Sequence, residues 1–213
     1  MSQFFQIHPE NPQQRLINQA ADIISQGGVV VFPTDSAYAI GCHIGEKKAI
    51  DRIRRIRQID ARHNFTLICR DLAEISTYAK VDNSVYRLLK TYTPGAYTFI
   101  LQATREVPRR FLHPKRRTIG LRVPDCQVTQ ALLASLGSPM MSVSMILPGD
   151  GDPMIDPYEM RQILEQQVDL IIDGGYCGME PTTVVSLLNE VPQLLRQGKG
   201  DPTPFIEPSA AVG

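Results

Sequence analysis

The sequence predicts a single-domain α/β protein built on a twisted mixed sheet with helices, and three observations predict it. Apolar runs of strand length, rich in β-branched and aromatic residues, recur from Phe4 to Arg196. Amphipathic stretches with helical spacing lie between most of them, and there is neither a repeat nor a low-complexity segment. Some strands follow one another with no helix between, so the sheet is mixed rather than purely parallel.

Phe4 to Ile7 reads as a first strand. Asn11 then Pro12 is a cap and first-turn signal for a helix carrying Leu16, Ile17, Ala20, Ile23 and Ile24. Gly27-Gly28 ends that helix before the run Val29 to Phe32, which Pro33 stops because proline cannot donate to a sheet ladder. Thr34, Asp35 and Ser36 then cluster at the strand end, and Gly41 closes a brief helical turn. Two readings of that corner stand. Ligands bind beyond the carboxyl ends of strands, where helix N-termini offer free N–H groups; alternatively, Thr34 or Asp35 caps a one-turn helix that Gly41 ends.

Glu46 to Gln58 places Ala49, Ile50, Ile53 and Ile56 on one helical face. Phe65 to Cys69 is a strand, and Asp71 and Asp82 cap helices running to Ala79 and Lys90. Tyr97 to Leu101 and Thr118 to Val123 are strands; Asp125 caps a helix from Val128 to Leu136. A strand from Met140 to Ser144, a helix over 156–166 and a strand from Val168 to Ile172 follow. Thr183 to Leu188 and Gln193 to Arg196 close the pattern as a hairpin-like pair. The domain is expected to span 1–200, with 201–213 a flexible tail containing three prolines.

At 213 residues, 43% hydrophobic and 21% charged, the composition is that of a globular protein. No apolar run approaches the roughly 18 residues of a membrane span, and the N-terminus has no secretory pattern. Cys42, Cys69, Cys126 and Cys177 are scattered, as expected of reduced thiols in the cytoplasm. The net charge of zero hides a division. Residues 1–122 hold 19 Lys and Arg against 10 acids, and residues 123–213 hold 3 against 12. Such asymmetry points to a polyanionic partner.

The sequence contains no P-loop, dinucleotide fingerprint, zinc-protease helix or nucleophile elbow. The densest basic cluster, Lys47, Lys48, Arg52, Arg54, Arg55 and Arg57, lies on the second helix, followed by Arg62 and His63. Arg54 and Arg57 share a face on which guanidinium forks can grip phosphate. Arg105, Arg109, Arg110, Lys115, Arg116 and Arg117 crowd a polar connection suited to RNA or nucleotide phosphates. Arg122 stands in an apolar strand, where a charge must be paired or face a ligand. Ser142 and Ser144 share one side of a strand, and paired hydroxyls recur at Thr182-Thr183. Asp150, Asp152 and Asp156 lack the spacing of a calcium loop, and His8, His43, His63 and His113 lack that of a metal site or a triad.

In this order, Pro33 to Gly41, Pro94 to Thr98, Arg122 to Pro124, Thr183 to Val185 and Arg196 to Gly198 resemble the YrdC/YciO family, most closely its YciO branch. The resemblance implies a concave basic surface on the sheet. It also implies formation of threonylcarbamoyl-adenylate from L-threonine, bicarbonate and ATP with Mg²⁺, for adenosine modification in tRNA. Thr34 and Tyr38 would line the threonine and adenylate pocket, and Asp35 and Thr98 would bind substrate or nucleotide. Arg54 and Arg57 would stand near the phosphates, Arg122 and Arg196 would add charge, and Ser142, Ser144 and Thr183 would donate to phosphate oxygens. Lys47, Arg52, Arg55, Arg62, Arg109, Arg110, Lys115, Arg116 and Arg117 would face tRNA or other double-stranded RNA. No residue is assigned a catalytic role and none a metal.

The chain departs from the synthase pattern at two places. S-A-N-x-S-G reads Ser142-Val143-Ser144-Met145-Ile146-Leu147, and K-x-R-P reads Arg57-Gln58-Ile59-Asp60. Arginine does not replace a phosphate-binding lysine neutrally. An RNA- or nucleotide-binding relative with little synthase activity is therefore the alternative reading.

Overall fold

The computed structural model describes residues 1–60, 63–109, 112 and 117–206. In chain order its elements are β1 (Gln3–Gln6), α1 (Gln14–Ser25), β2 (Val30–Phe32), β3 (Ala39–His43), α2 (Lys47–Arg57), β4 (Thr66–Ile68), α3 (Leu72–Tyr78) and α4 (Asn83–Tyr92). There follow β5 (Tyr97–Gln102), β6 (Thr118–Arg122), α5 (Gln127–Leu136), β7 (Met140–Ser144), α6 (Pro157–Leu164), β8 (Leu170–Asp173), β9 (Thr183–Ser186) and β10 (Gln193–Arg196).

The strands form one ten-stranded sheet in the order β1-β8-β2-β3-β7-β4-β6-β5-β9-β10. Pairing is parallel at β1–β8, β8–β2, β4–β6 and β5–β9, and antiparallel at the other five junctions. The sheet is mixed, as the missing crossover helices require.

Alternation along the strands sends side chains to two cores. Val30, Phe32, Ile68, Met140, Leu170 and Ile172 pack with α1 and α5 on one face. Val31, Ile40, Leu67, Phe99, Leu121, Met141 and Ile171 pack on the other with the apolar sides of α2, α3, α4 and α6. On the first face α1 and α5 stop short. Beyond them lie Thr66, Thr98, Ile100, Gly120, Arg122, Ser142 and Val184, and over these the protein leaves a cavity.

Several local expectations need correction. The brief helix read between Thr34 and Gly41 is absent: residues 39–43 are strand β3, held antiparallel between β2 and β7. Asn11 does not cap α1, whose N-cap is Gln13 with no side-chain bond. Asp125 does not cap α5, because Cys126 occupies that position. Asp71, Asp82 and Asp156 do accept backbone N–H groups at the starts of α3, α4 and α6. Part of the segment from residue 201, expected as a flexible tail, is packed on the domain. Phe205 is buried among Tyr92, Tyr97 and Phe99, and Tyr97 donates to the Asp201 carbonyl at 3.3 Å. Residues 207–213 lie outside the described residues.

Candidate anion-binding site

The segment from Pro33 to Tyr38 leaves β2 and reaches toward β6, and the Thr34 hydroxyl organises it. Thr34 Oγ1 accepts the N–H groups of Ser36 and Ala37, both at 3.2 Å, and donates to the Ala37 carbonyl at 2.6 Å. Arg122, from the end of β6, donates to the same oxygen at 3.3 Å and forms an ion pair with the Asp35 carboxylate. Lys199 donates to the Asp35 carbonyl. Tyr38 is fully buried; its hydroxyl donates to the Gly175 carbonyl at 2.8 Å and accepts the Gly174 N–H at 3.2 Å. Burial is the main reason its phenol ionises far above the usual tyrosine range. Thr34 and Tyr38 thus position the segment and have no free hydroxyl for a ligand.

The cavity beside this segment measures about 610 Å³. Its floor is the uncovered sheet face. Cross-strand register sets Gly41, Ser142, Thr66, Gly120 and Ile100 in one row, and Ile68, Arg122 and Val184 fall in the neighbouring row. Gly120 keeps the floor low: a Cβ there would stand 3.1 Å from the Thr98 methyl and 3.6 Å from Thr66 Oγ1. Ser142 has only a 3.5 Å contact with the Thr66 carbonyl, which leaves its hydroxyl available. Thr98 and Thr182 hydroxyls pair at 2.8 Å.

Three guanidinium groups line the cavity. Arg57, at the end of α2, is 8% exposed and donates to the Ile146 carbonyl just past β7. Arg122 is 7% exposed, and the Nε atoms of both are buried without a partner. Burial draws the Arg57 guanidinium below its ordinary value, and does the same for Arg196. Arg196, on β10, donates to the Thr182 carbonyl at 2.9 and 3.2 Å. Buried arginine forks with unsatisfied donors beside free hydroxyls suit a carboxylate or phosphate.

Of the expected site residues, Tyr38, Arg57, Thr98, Arg122, Ser142, Ser144 and Arg196 line this cavity together. Thr34 and Asp35 line a second cavity of about 760 Å³ behind the same segment. Thr183 faces neither, since its hydroxyl donates to the Gly200 carbonyl and accepts the Gly198 N–H; Thr182 holds the cavity position instead. Arg54 lies outside it, over the Phe65 ring with its carbon 5.6 Å from the centroid, and pairs with Asp51. Ser36, Asp60, His63 and Asn64 also line the cavity; the sequence placed the first three beside candidate motifs without assigning any of the four to the site.

The basic clusters divide. Arg52 is paired with Asp169, whereas Lys47, Lys48 and Arg55 are exposed. Arg105, Arg109 and Arg117 surround a separate hollow of about 320 Å³. Arg62, Arg110, Lys115 and Arg116 lie outside the described residues.

The mixed sheet is the architecture of a known group. The family model Sua5_yciO_yrdC, described as telomere recombination, matches residues 22–198, and the chain belongs to that family. It is 59% identical to the uncharacterised protein YciO of Escherichia coli over 206 residues, covering 97% of this chain and all of that one. The crystal structure of Escherichia coli YciO superposes with a TM-score of 0.92 over 97% of this chain. The threonylcarbamoyl-AMP synthase of Bacillus subtilis is 28% identical over 187 residues, or 85% of this chain and 53% of the enzyme. P. abyssi Sua5 complexed with L-threonine shares the fold, with a TM-score of 0.84 at 24% identity over 92% of this chain and 57% of that one.

Proposed function

We propose that the cavity binds a nucleotide together with L-threonine and bicarbonate, and forms threonylcarbamoyl-AMP with release of pyrophosphate. The observation that carries this reading is the pair Arg57 and Arg122, both more than nine-tenths buried, each with an unpartnered Nε on a hydroxyl-lined floor. The 28% identity to a threonylcarbamoyl-AMP synthase supports the choice of reaction.

In this mechanism the protein supplies position and charge. Arg57 and Arg122 hold the anionic groups of the reactants with donors fixed before they arrive. Asp35 and Thr34 keep the Arg122 fork in place. Ser142 and Ser144 donate to oxygens as charge builds at the α-phosphorus attacked by a carbamate oxygen. Mg²⁺ would come with the ATP, whose phosphates it binds and whose charge it offsets. The changed segments meet at one point: Arg57 bonds the backbone of Ile146, bracing the end of α2 against the residues after β7.

The test is pyrophosphate release by the purified chain with ATP, Mg²⁺, L-threonine and bicarbonate, omitting each in turn. Release that requires both threonine and bicarbonate supports the synthase reading; its absence, with AMP still bound, rejects it.

A second reading, RNA binding, is favoured by the exposed Lys47, Lys48 and Arg55 on α2. Replacing the three with Glu should weaken duplex RNA binding and flatten its logarithmic salt dependence by roughly 0.9 for each phosphate that is no longer neutralised. An unchanged slope removes α2 from any RNA surface.

A further inference from the structure

The proposed reaction creates a proton that the cavity must accept. L-Threonine enters as an ammonium, and its nitrogen becomes a nucleophile only when deprotonated. When ammonium and bicarbonate combine, an N–C bond forms, one C–O bond breaks with loss of water, and one net proton is released. The carbamate oxygen can then attack ATP.

Few groups lining the cavity can take that proton. Tyr38 is committed to Gly175 and Gly174 and ionises only at high pH. The guanidinium groups are donors with no acceptor position, and Thr98 and Thr182 are bonded to each other. His63 remains; it lines the cavity, as Arg57 does.

We propose that His63 is the general base that takes the proton from the threonine ammonium as the carbamate forms, while Arg57 holds the bicarbonate oxygens beside it. The charges around the imidazole suit this task. Burial is the main influence that favours its neutral, proton-accepting form, helped by Arg57 and Arg54 of α2 and opposed by Asp60 in the intervening turn. The burial is partial, because His63 keeps an exposed side, so the imidazolium can pass its proton to water before the next turnover. Its backbone N–H donates to the Asp60 carbonyl at 3.2 Å, which fixes the backbone from which the ring projects.

This inference rests on the synthase reading, and one experiment separates the two. Threonine- and bicarbonate-dependent pyrophosphate release is followed from pH 5.5 to 9 for the unmodified chain and for His63→Gln, with AMP affinity measured in parallel. The unmodified chain should lose rate as pH falls, with a midpoint below the ordinary imidazole value of 6.5. His63→Gln should be slower by about 100-fold, lose that acid limb, bind AMP unchanged, and recover part of its rate with added imidazole. A variant that keeps both the rate and the limb overturns the role of His63 and leaves the synthase reading standing. An unmodified chain that releases no pyrophosphate overturns both.

Discussion

Arg122 and Asp35 are 87 residues apart in sequence and form an ion pair in which neither side chain is more than 11% exposed. The pair ties the segment after β2 to the end of β6, across three intervening strands. It therefore sets the shape of the cavity as well as its charge.

Breaking the pair from one side strands a buried charge. Asp35→Asn should cost about 3 kcal/mol in urea unfolding, and Arg122→Met a similar amount. The double variant should lose much less than the sum, because neither charge is left alone. Strictly additive losses would show that the two residues act independently.

Thr34 carries five contacts through one oxygen. Thr34→Val leaves the Ser36 and Ala37 N–H groups without that acceptor and should cost about 2 kcal/mol. Thr34→Ser keeps the oxygen and should stay within about 1 kcal/mol of the unmodified chain. Equal losses from Val and Ser would mean that the methyl group, not the hydroxyl, holds the segment.

The floor can be altered in two ways. Ser142→Ala and Ser144→Ala each remove a hydroxyl and should weaken AMP binding about 10-fold, or about 1.4 kcal/mol, with stability changed by under about 0.5 kcal/mol. Gly120→Val adds bulk to the floor and presses on the Thr98 methyl, which stands 3.1 Å from a Cβ at that position. It should destabilise the chain by about 1–3 kcal/mol and weaken binding further. Calorimetric titration with AMP checks all three, and undiminished affinity would move the ligand off this floor.

Two thiols make the protein sensitive to alkali. Burial pushes Cys42 and Cys177 up to about 12 from 9.0. Native protein at pH 8 should therefore react with iodoacetamide about 10³-fold more slowly at these sites than unfolded protein does. The unfolded thiols release their protons near pH 9 while the folded ones keep theirs until about pH 12. Their contribution to stability is thus complete below pH 9 and declines above it. A Cys42→Ala/Cys177→Ala variant should show a shallower alkaline decline in urea midpoint; an identical decline would place the cause elsewhere.

The sequence made most of the sheet legible because its strands are buried on alternate sides by strongly apolar residues, as in Val30, Val31 and Phe32. It hid β3, whose Ala39, Gly41, Cys42 and His43 carry little strand preference and take their conformation from β2 and β7 on either side. Arg122 was visible as a charge in an apolar strand. The exchange of Thr183 for Thr182 has a simple origin: a shift of one residue in a strand reverses the face, and two adjacent threonines give no local sign of which one turns inward. His63 was invisible as a site residue because cavity position depends on where the turn after α2 ends, which spacing does not encode.

The incomplete helix layer over the sheet has a consequence for motion. Strands β8 and β2 have apolar layers packed on both faces, β3 and β7 run from such a double layer into the hollow, and β6, β5 and β9 have one apolar layer and the polar hollow. Amide hydrogens in the last group should exchange sooner, through openings smaller than global unfolding. A ligand seated in the hollow replaces part of the missing layer, so its binding would be recorded as slower exchange along β5, β6 and β9, while the doubly covered strands, already near the ceiling set by global unfolding, change little.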